Sequence, residues 1–125
     1  MNLVERAREG YGQSAPTIRS HRASEYEAIA RISHRLRSAA LNRKNDYPAF
    51  VAAIHDNRKL WAILAADIAQ DGNALPAGLR SRLFWLAEFT EAESRRLLRN
   101  DGDVGILIEI NACILQGLGR TGDNS

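Results

Sequence analysis

Asp56-Asn57-Arg58-Lys59-Leu60-Trp61-Ala62-Ile63-Leu64-Ala65-Ala66-Asp67-Ile68-Ala69 decides how this chain folds, together with Asn73-Ala74-Leu75-Pro76-Ala77-Gly78-Leu79-Arg80 shortly after it. Wound at about 3.6 residues per turn, Phe50, Ile54, Trp61, Leu64, Ala65 and Ile68 fall on one side, the mark of an amphipathic helix. Asn57 sits in the middle of that side, which leaves two readings: one helix from Pro48 to Gln70, or a break at Asn57. Pro48 suits a first helical turn, where its missing N–H has no partner to lose. Asp71-Gly72-Asn73 ends the helix, and Pro76 opens the next, whose stripe is Leu79, Leu83, Leu86 and Leu97.

Working outward, Ser24-Glu25-Tyr26-Glu27 has the capping-box form, in which a hydroxyl and a carboxylate each satisfy a free backbone N–H. A first long helix is therefore expected from Ser24, with Ile29, Ile32, Leu36, Ala39 and Ala40 as its apolar stripe. Before it, Leu3 to Glu9 has the makings of a short helix, broken by the glycines and proline of Gly10 to Pro16. Downstream of the Asn100-Asp101-Gly102-Asp103 turn, Ile106, Ile108 and Ile110 alternate as in a strand. Helical winding instead gathers Val104, Leu107, Ile108, Ile114, Leu115 and Leu118 within roughly 120°, and helix is the better fit. A second strip of Ile106, Ile110 and Cys113 leaves only Glu109, Ala112 and Gln116 to face water, so this helix is central in a bundle or half of a binding groove.

The expected fold is all-α: a small helical bundle of about four main helices with a short N-terminal helix or arm. Residues 1–23 are read as that arm, 24–118 as a single domain and 119–125 as a flexible tail. A chain of 125 residues can bury about two-thirds of its unfolded surface, enough for a core without metal or disulfide. The hydrophobic fraction of 45% and charged fraction of 26% are those of a globular protein. A net charge of +2 is too small to establish nucleic-acid binding, although a pI near 9.0 leaves it open. The single cysteine, Cys113, among Ile110, Ala112, Ile114 and Leu115, reads as a small buried hydrophobe in a reducing compartment. No secretory leader and no membrane span of about 20 apolar residues is read, so a cytoplasmic protein is expected.

Signals for chemistry are weak. His21, His34 and His55 lack ligand spacing, Gly10-Tyr11-Gly12 and Gly117-Leu118-Gly119 lack the strand that a phosphate loop needs, and no nucleophile stands beside a base. No catalytic residue, metal site or cofactor is expected. Arg95, Arg96 and Arg99 close a helix, where the dipole favours positive charge, as do Arg31, Arg35, Arg37, Arg43 and Lys44 after Glu25 and Glu27. Arg80 and Arg82 stand at a helix start, where positive charge is disfavoured, so carboxylates such as Asp67 or Asp71, or a partner's acidic group, should compensate.

Asn57 and Asn111 are amides inside apolar stripes, where an unpaired amide costs about 1–3 kcal/mol. Either they cap or bridge backbone groups and fix the bundle's register, or one of them lines a groove and bonds to a guest helix. Trp61 reads as core, whereas Phe84 and Trp85 lie off the leucine line beside Arg80, and aromatics with arginine are what binding hot spots favour. The candidate partner-binding residues are Asn57, Arg58, Trp61, Arg80, Phe84, Trp85, Ile110 and Asn111.

These residues resemble the FlaF family of flagellar biosynthesis regulators. The likeness is carried by Asp56-Asn57-Arg58-Lys59-Leu60-Trp61, Ala66-Asp67-Ile68-Ala69, Asn73-Ala74-Leu75-Pro76 with Leu79-Arg80, and Leu107-Ile108-Glu109-Ile110-Asn111 ending in Gly117-Leu118. Cys113-Ile114-Leu115 departs from it, standing where a methionine is expected before the closing Gly-Leu. The resemblance implies an all-helical cytoplasmic protein, needed for flagellin production and export, that acts on flagellin and alongside the flagellin-translation regulator FlbT. A helix-in-groove chaperone for a terminal flagellin segment fits that role. The alternatives are a post-transcriptional regulator touching flagellin mRNA through Arg31, Arg35, Arg80 and Arg82, and an adaptor that docks FlbT or forms a homo-oligomer.

Overall fold

The computed structural model describes residues 18–70, 72 and 75–123. Four helices follow one another: α1 (Ile18–Leu41), α2 (Tyr47–Ala69), α3 (Ala77–Leu98) and α4 (Val104–Asp123), with no strand among the described residues. The Asn57 break does not occur, and the Ile106-Ile108-Ile110 alternation lies within a helix, as its 3.6-residue period requires. The short helix read over Leu3 to Glu9 lies outside the described residues.

Two ends differ from the sequence reading. Helix α1 begins at Ile18, so Ser24 and Glu27 stand inside it rather than capping it. A capping box acts only where the chain before it leaves the helix, and Ile18 to Ala23 contains no glycine or proline to force that exit. Helix α4 runs to Asp123, five residues into the stretch read as a flexible tail. Gly119 and Gly122 weaken a helix by about 1 kcal/mol each relative to alanine but do not stop one.

Local chemistry explains the remaining ends. Asp46 caps α2, its carboxylate accepting from the Ala49 N–H at 3.1 Å, with Pro48 in the first turn. Helix α3 closes through Asn100 at φ 62°, where Asp101 N–H donates to Arg96 O at 2.8 Å and Asn100 N–H to Leu97 O at 3.0 Å. Asparagine tolerates this left-handed position because its short polar side chain can bond locally.

Around the bundle each helix neighbours the next. Helix α1 packs on α2 and α4, α2 packs on α3, and the seam between α3 and α4 is thinner. The main core, Leu36, Ala39, Phe50, Ala53, Ile54, Leu97 and Leu107, lies toward the end holding the 42–46 and 99–103 connections. Tyr47 Oη donates to Asn100 Oδ1 at 3.2 Å across those connections, and the Arg43 guanidinium stands 4.5 Å above the Phe50 ring. Toward the other end Ala28, Ile29 and Ile68 remain buried, but α3 is packed less closely. On α3 the predicted leucine stripe is buried only at Leu97, while Leu83 and Leu86 are half-buried and Leu79 is exposed.

The buried face of α3 is completed by Thr90, Glu93 and Ser94, polar residues that periodicity alone assigns to solvent. Each finds a local partner: Thr90 Oγ1 donates to Ala87 O at 3.0 Å, Ser94 Oγ to Thr90 O at 2.6 Å, and Glu93 Oε2 accepts from Asp103 N–H at 2.6 Å. Cys113 is exposed, contrary to the buried reading. It stands on the flank of α4 facing away from Leu107 and Asn111, where no described helix covers it.

Candidate functional site

Two diagonal helices meet through side chains at the centre of the bundle. Asn111 of α4 donates from Nδ2 to Asn57 Oδ1 of α2 at 2.7 Å, and its own Oδ1 accepts from Trp61 Nε1–H at 2.9 Å. Asn57 and Asn111 are both 0% exposed. The amides therefore bridge one another and an indole, not backbone groups, and neither can touch a guest helix while the bundle is closed. The arrangement answers the cost of placing amides in an apolar stripe, since each polar atom paired here avoids about 1–3 kcal/mol of desolvation. Asn57 Nδ2 is left without a hydrogen-bond partner.

The Trp61 ring, 4% exposed, forms part of an open groove of ≈ 480 Å³ between α2 and α3. Arg58, Ala62 and Ala65 complete the α2 side, and Phe84, Ala87, Glu88 and Ala92 stand on the α3 side. Four alanines keep the walls low, so an approaching backbone can come close. Above them runs a charged rim. Arg58 grips Glu91 with both arms, Nε to Oε1 at 2.9 Å and Nη2 to Oε2 at 2.6 Å, and Arg95 Nε donates to Glu91 Oε2 at 3.0 Å. Hydrogen bonding to Arg58 holds the Glu91 carboxyl below the usual carboxylate range despite partial burial, and the same contact raises the Arg58 guanidinium. The fork is partly exposed, so it contributes about 1 kcal/mol or less, and its main effect is to fix the groove's edge.

Arg80 has a different task. From the first turn of α3 it reaches back to the last turn of α2 and donates Nε and Nη2 to Ile68 O at 3.2 and 3.0 Å. The negative end of one helix thereby compensates the positive start of the next. Trp85 lies outside the groove, 62% exposed, with its ring stacked on Phe89 at 5.6 Å between centroids and 19° between planes.

Of the eight residues read from the sequence, Arg58, Trp61 and Phe84 come together in the groove, Asn57 and Asn111 pair in the interior, and Arg80 ties the corner. Trp85 stands on the adjoining face of α3, and Ile110 is half-buried on α4. Glu91 and Phe89 were missed, although Glu91 four residues before Arg95 and Phe89 four after Trp85 were legible as helical neighbours. The set of arginines considered for RNA is partly engaged: Arg35 pairs with Asp56 at 2.9 Å and Arg80 with the α2 carbonyl.

Among the described residues no three His, Cys, Asp or Glu side chains converge as a metal site would need, and no helix is long and apolar enough to cross a membrane. The groove has an apolar floor and edges fixed by the Arg58–Glu91–Arg95 contacts. No curated protein and no solved structure matches the chain. The model of the flagellar protein FlaF family matches residues 7–118, nearly the whole sequence, and the chain belongs to that flagellar family.

Proposed function

We propose that this protein is a cytoplasmic flagellar biosynthesis regulator that holds an amphipathic terminal segment of unassembled flagellin in the α2–α3 groove, and so supports flagellin synthesis and export. The observation that carries the reading is the groove itself, an apolar furrow floored by Trp61 and Phe84 on a member of a flagellar family. Terminal segments of an unassembled filament protein are poorly ordered and carry apolar faces that invite premature association. A furrow between two helices takes such a segment as a third helix, reading anchors at helical spacing. Low alanine walls let the guest backbone approach, and the fixed Arg58–Glu91–Arg95 rim sets its orientation.

Isothermal titration against full-length and terminally truncated flagellin tests this. Full-length flagellin is expected to bind and the truncated form to lose that affinity. Ala62→Trp, which fills the groove from an exposed position, should weaken binding at least ~10-fold without unfolding the bundle. Equal binding of both flagellins removes the terminal-segment claim. A steep loss of affinity for flagellin mRNA with added salt, in the absence of flagellin binding, would place the protein instead with FlbT in translational control.

A further inference from the structure

We infer that the outer face of α3 is a self-complementary surface on which two copies of this chain pair antiparallel, with Trp85 at the centre. Trp85 is the most exposed aromatic described, and its stacked partner Phe89 widens the apolar patch. Arg82 stands three residues before Trp85 and Glu88 three residues after it, both exposed, and neither has an ion-pair partner among the described residues. Other charges on this helix are already engaged: Arg95 with Glu91, and Arg96 with Glu93 and Asp101.

The spacing makes the face complementary to itself. Residues three apart on a helix lie on one inclined row, with Arg82 and Glu88 about 4.5 Å to either side of Trp85 along the axis. A two-fold axis lying between the copies at the level of Trp85, perpendicular to α3, reverses the helix direction and brings Arg82 level with Glu88 of the other copy. Two equivalent Arg82–Glu88 pairs then flank the two Trp85 rings, and each Phe89 closes over Ser81 of the other copy. A parallel pairing sets like charges level with each other and is disfavoured. Such an isologous contact follows the commonest symmetry of soluble oligomers. It has an aromatic centre and a charged edge, as protein interfaces do. The groove opens on the neighbouring face of α3, so pairing and guest binding are separate properties that share only its edge, at Glu88 and, two turns beyond Trp85, at Ala92.

Sedimentation velocity on the full chain over a range of concentrations tests the inference, with circular dichroism as the check on folding. The wild-type chain should move from the 13.9 kDa monomer toward twice that mass as concentration rises. Trp85→Ala should raise the dimer dissociation constant at least ~100-fold, because a central aromatic is lost twice. Arg82→Glu or Glu88→Arg alone should raise it ~10-fold or more, since two attractive pairs become repulsive. The swap Arg82→Glu with Glu88→Arg should restore pairing. A chain that stays monomeric at several hundred micromolar, a dimer indifferent to Trp85→Ala, or a charge swap that fails to rescue would overturn it. Flagellin titration of the monomeric Trp85→Ala variant keeps the two proposals apart, because its groove is intact.

Discussion

Replacing Asn111 by alanine is the sharpest test of how this bundle is held. Asn111 is the hub of the buried bridge, accepting from Trp61 at 2.9 Å and donating to Asn57 at 2.7 Å. Its removal leaves the indole N–H and the Asn57 carbonyl oxygen unpaired in an interior closed to water, at about 1–3 kcal/mol each. With the small cavity added, Asn111→Ala should destabilise the fold by about 3–5 kcal/mol, a large share of the roughly 5–15 kcal/mol by which domains are stable. Asn57→Ala removes one bond only, together with an amide N–H that is already unpaired, so about 1–2 kcal/mol is expected. The double variant should be less destabilised than the sum of the singles by about 1–2 kcal/mol. Urea unfolding followed by circular dichroism measures all three. With a slope of about 2 kcal/mol/M, Asn111→Ala lowers the midpoint by about 2 M at unchanged slope. If Asn57→Ala proves as damaging as Asn111→Ala, the hub assignment is wrong.

Three further outcomes follow from the geometry. Glu91 titrates below its unfolded value, so its contribution is present above that value and fades as pH falls through the folded one; Glu91→Gln should flatten this acid-side loss, by about 1 kcal/mol or less, in unfolding curves taken down the acidic range. Gly102→Ala places a methyl 3.0 Å from Leu97 N and 3.1 Å from Leu97 Cγ, where backbone cannot give way, and should lower stability by about 1–3 kcal/mol in thermal melts. Cys113 is exposed and should react with a thiol reagent in the native state, while Cys113→Ser should change stability by no more than about 0.5 kcal/mol.

Much of this architecture was legible in the residues. Pro48 after Asp46, and the Ile29-Leu36 and Phe50-Ile54-Trp61 stripes, give helices whose buried faces match their periodicity. Three features were not. The start of α1 was misplaced because a capping box marks a start only if the upstream chain turns away, which is a tertiary matter. Thr90, Glu93 and Ser94 were hidden because their burial depends on bonds to the helix backbone and to the Asp103 N–H, not on hydropathy. Asn57 and Asn111 were each recognisable as odd, but a partnership between residues 54 apart cannot be read from one sequence. For the groove, the aromatic and arginine residues were evident and Glu91 was legible beside Arg95, while the Arg58–Glu91 fork across 33 residues came only from the three-dimensional arrangement.

The reach of Arg80 to the end of α2 bears on how a guest is received. That contact ties the first turn of α3 to the last turn of α2 and so braces the corner that sets the separation of the two walls. A slot of preset width spares the host most of the ordering entropy that a floppy clamp loses on closing, and shifts selectivity onto the visitor's girth. On the proposed function, a slender helix rich in small residues would enter such a slot more readily than a bulky one.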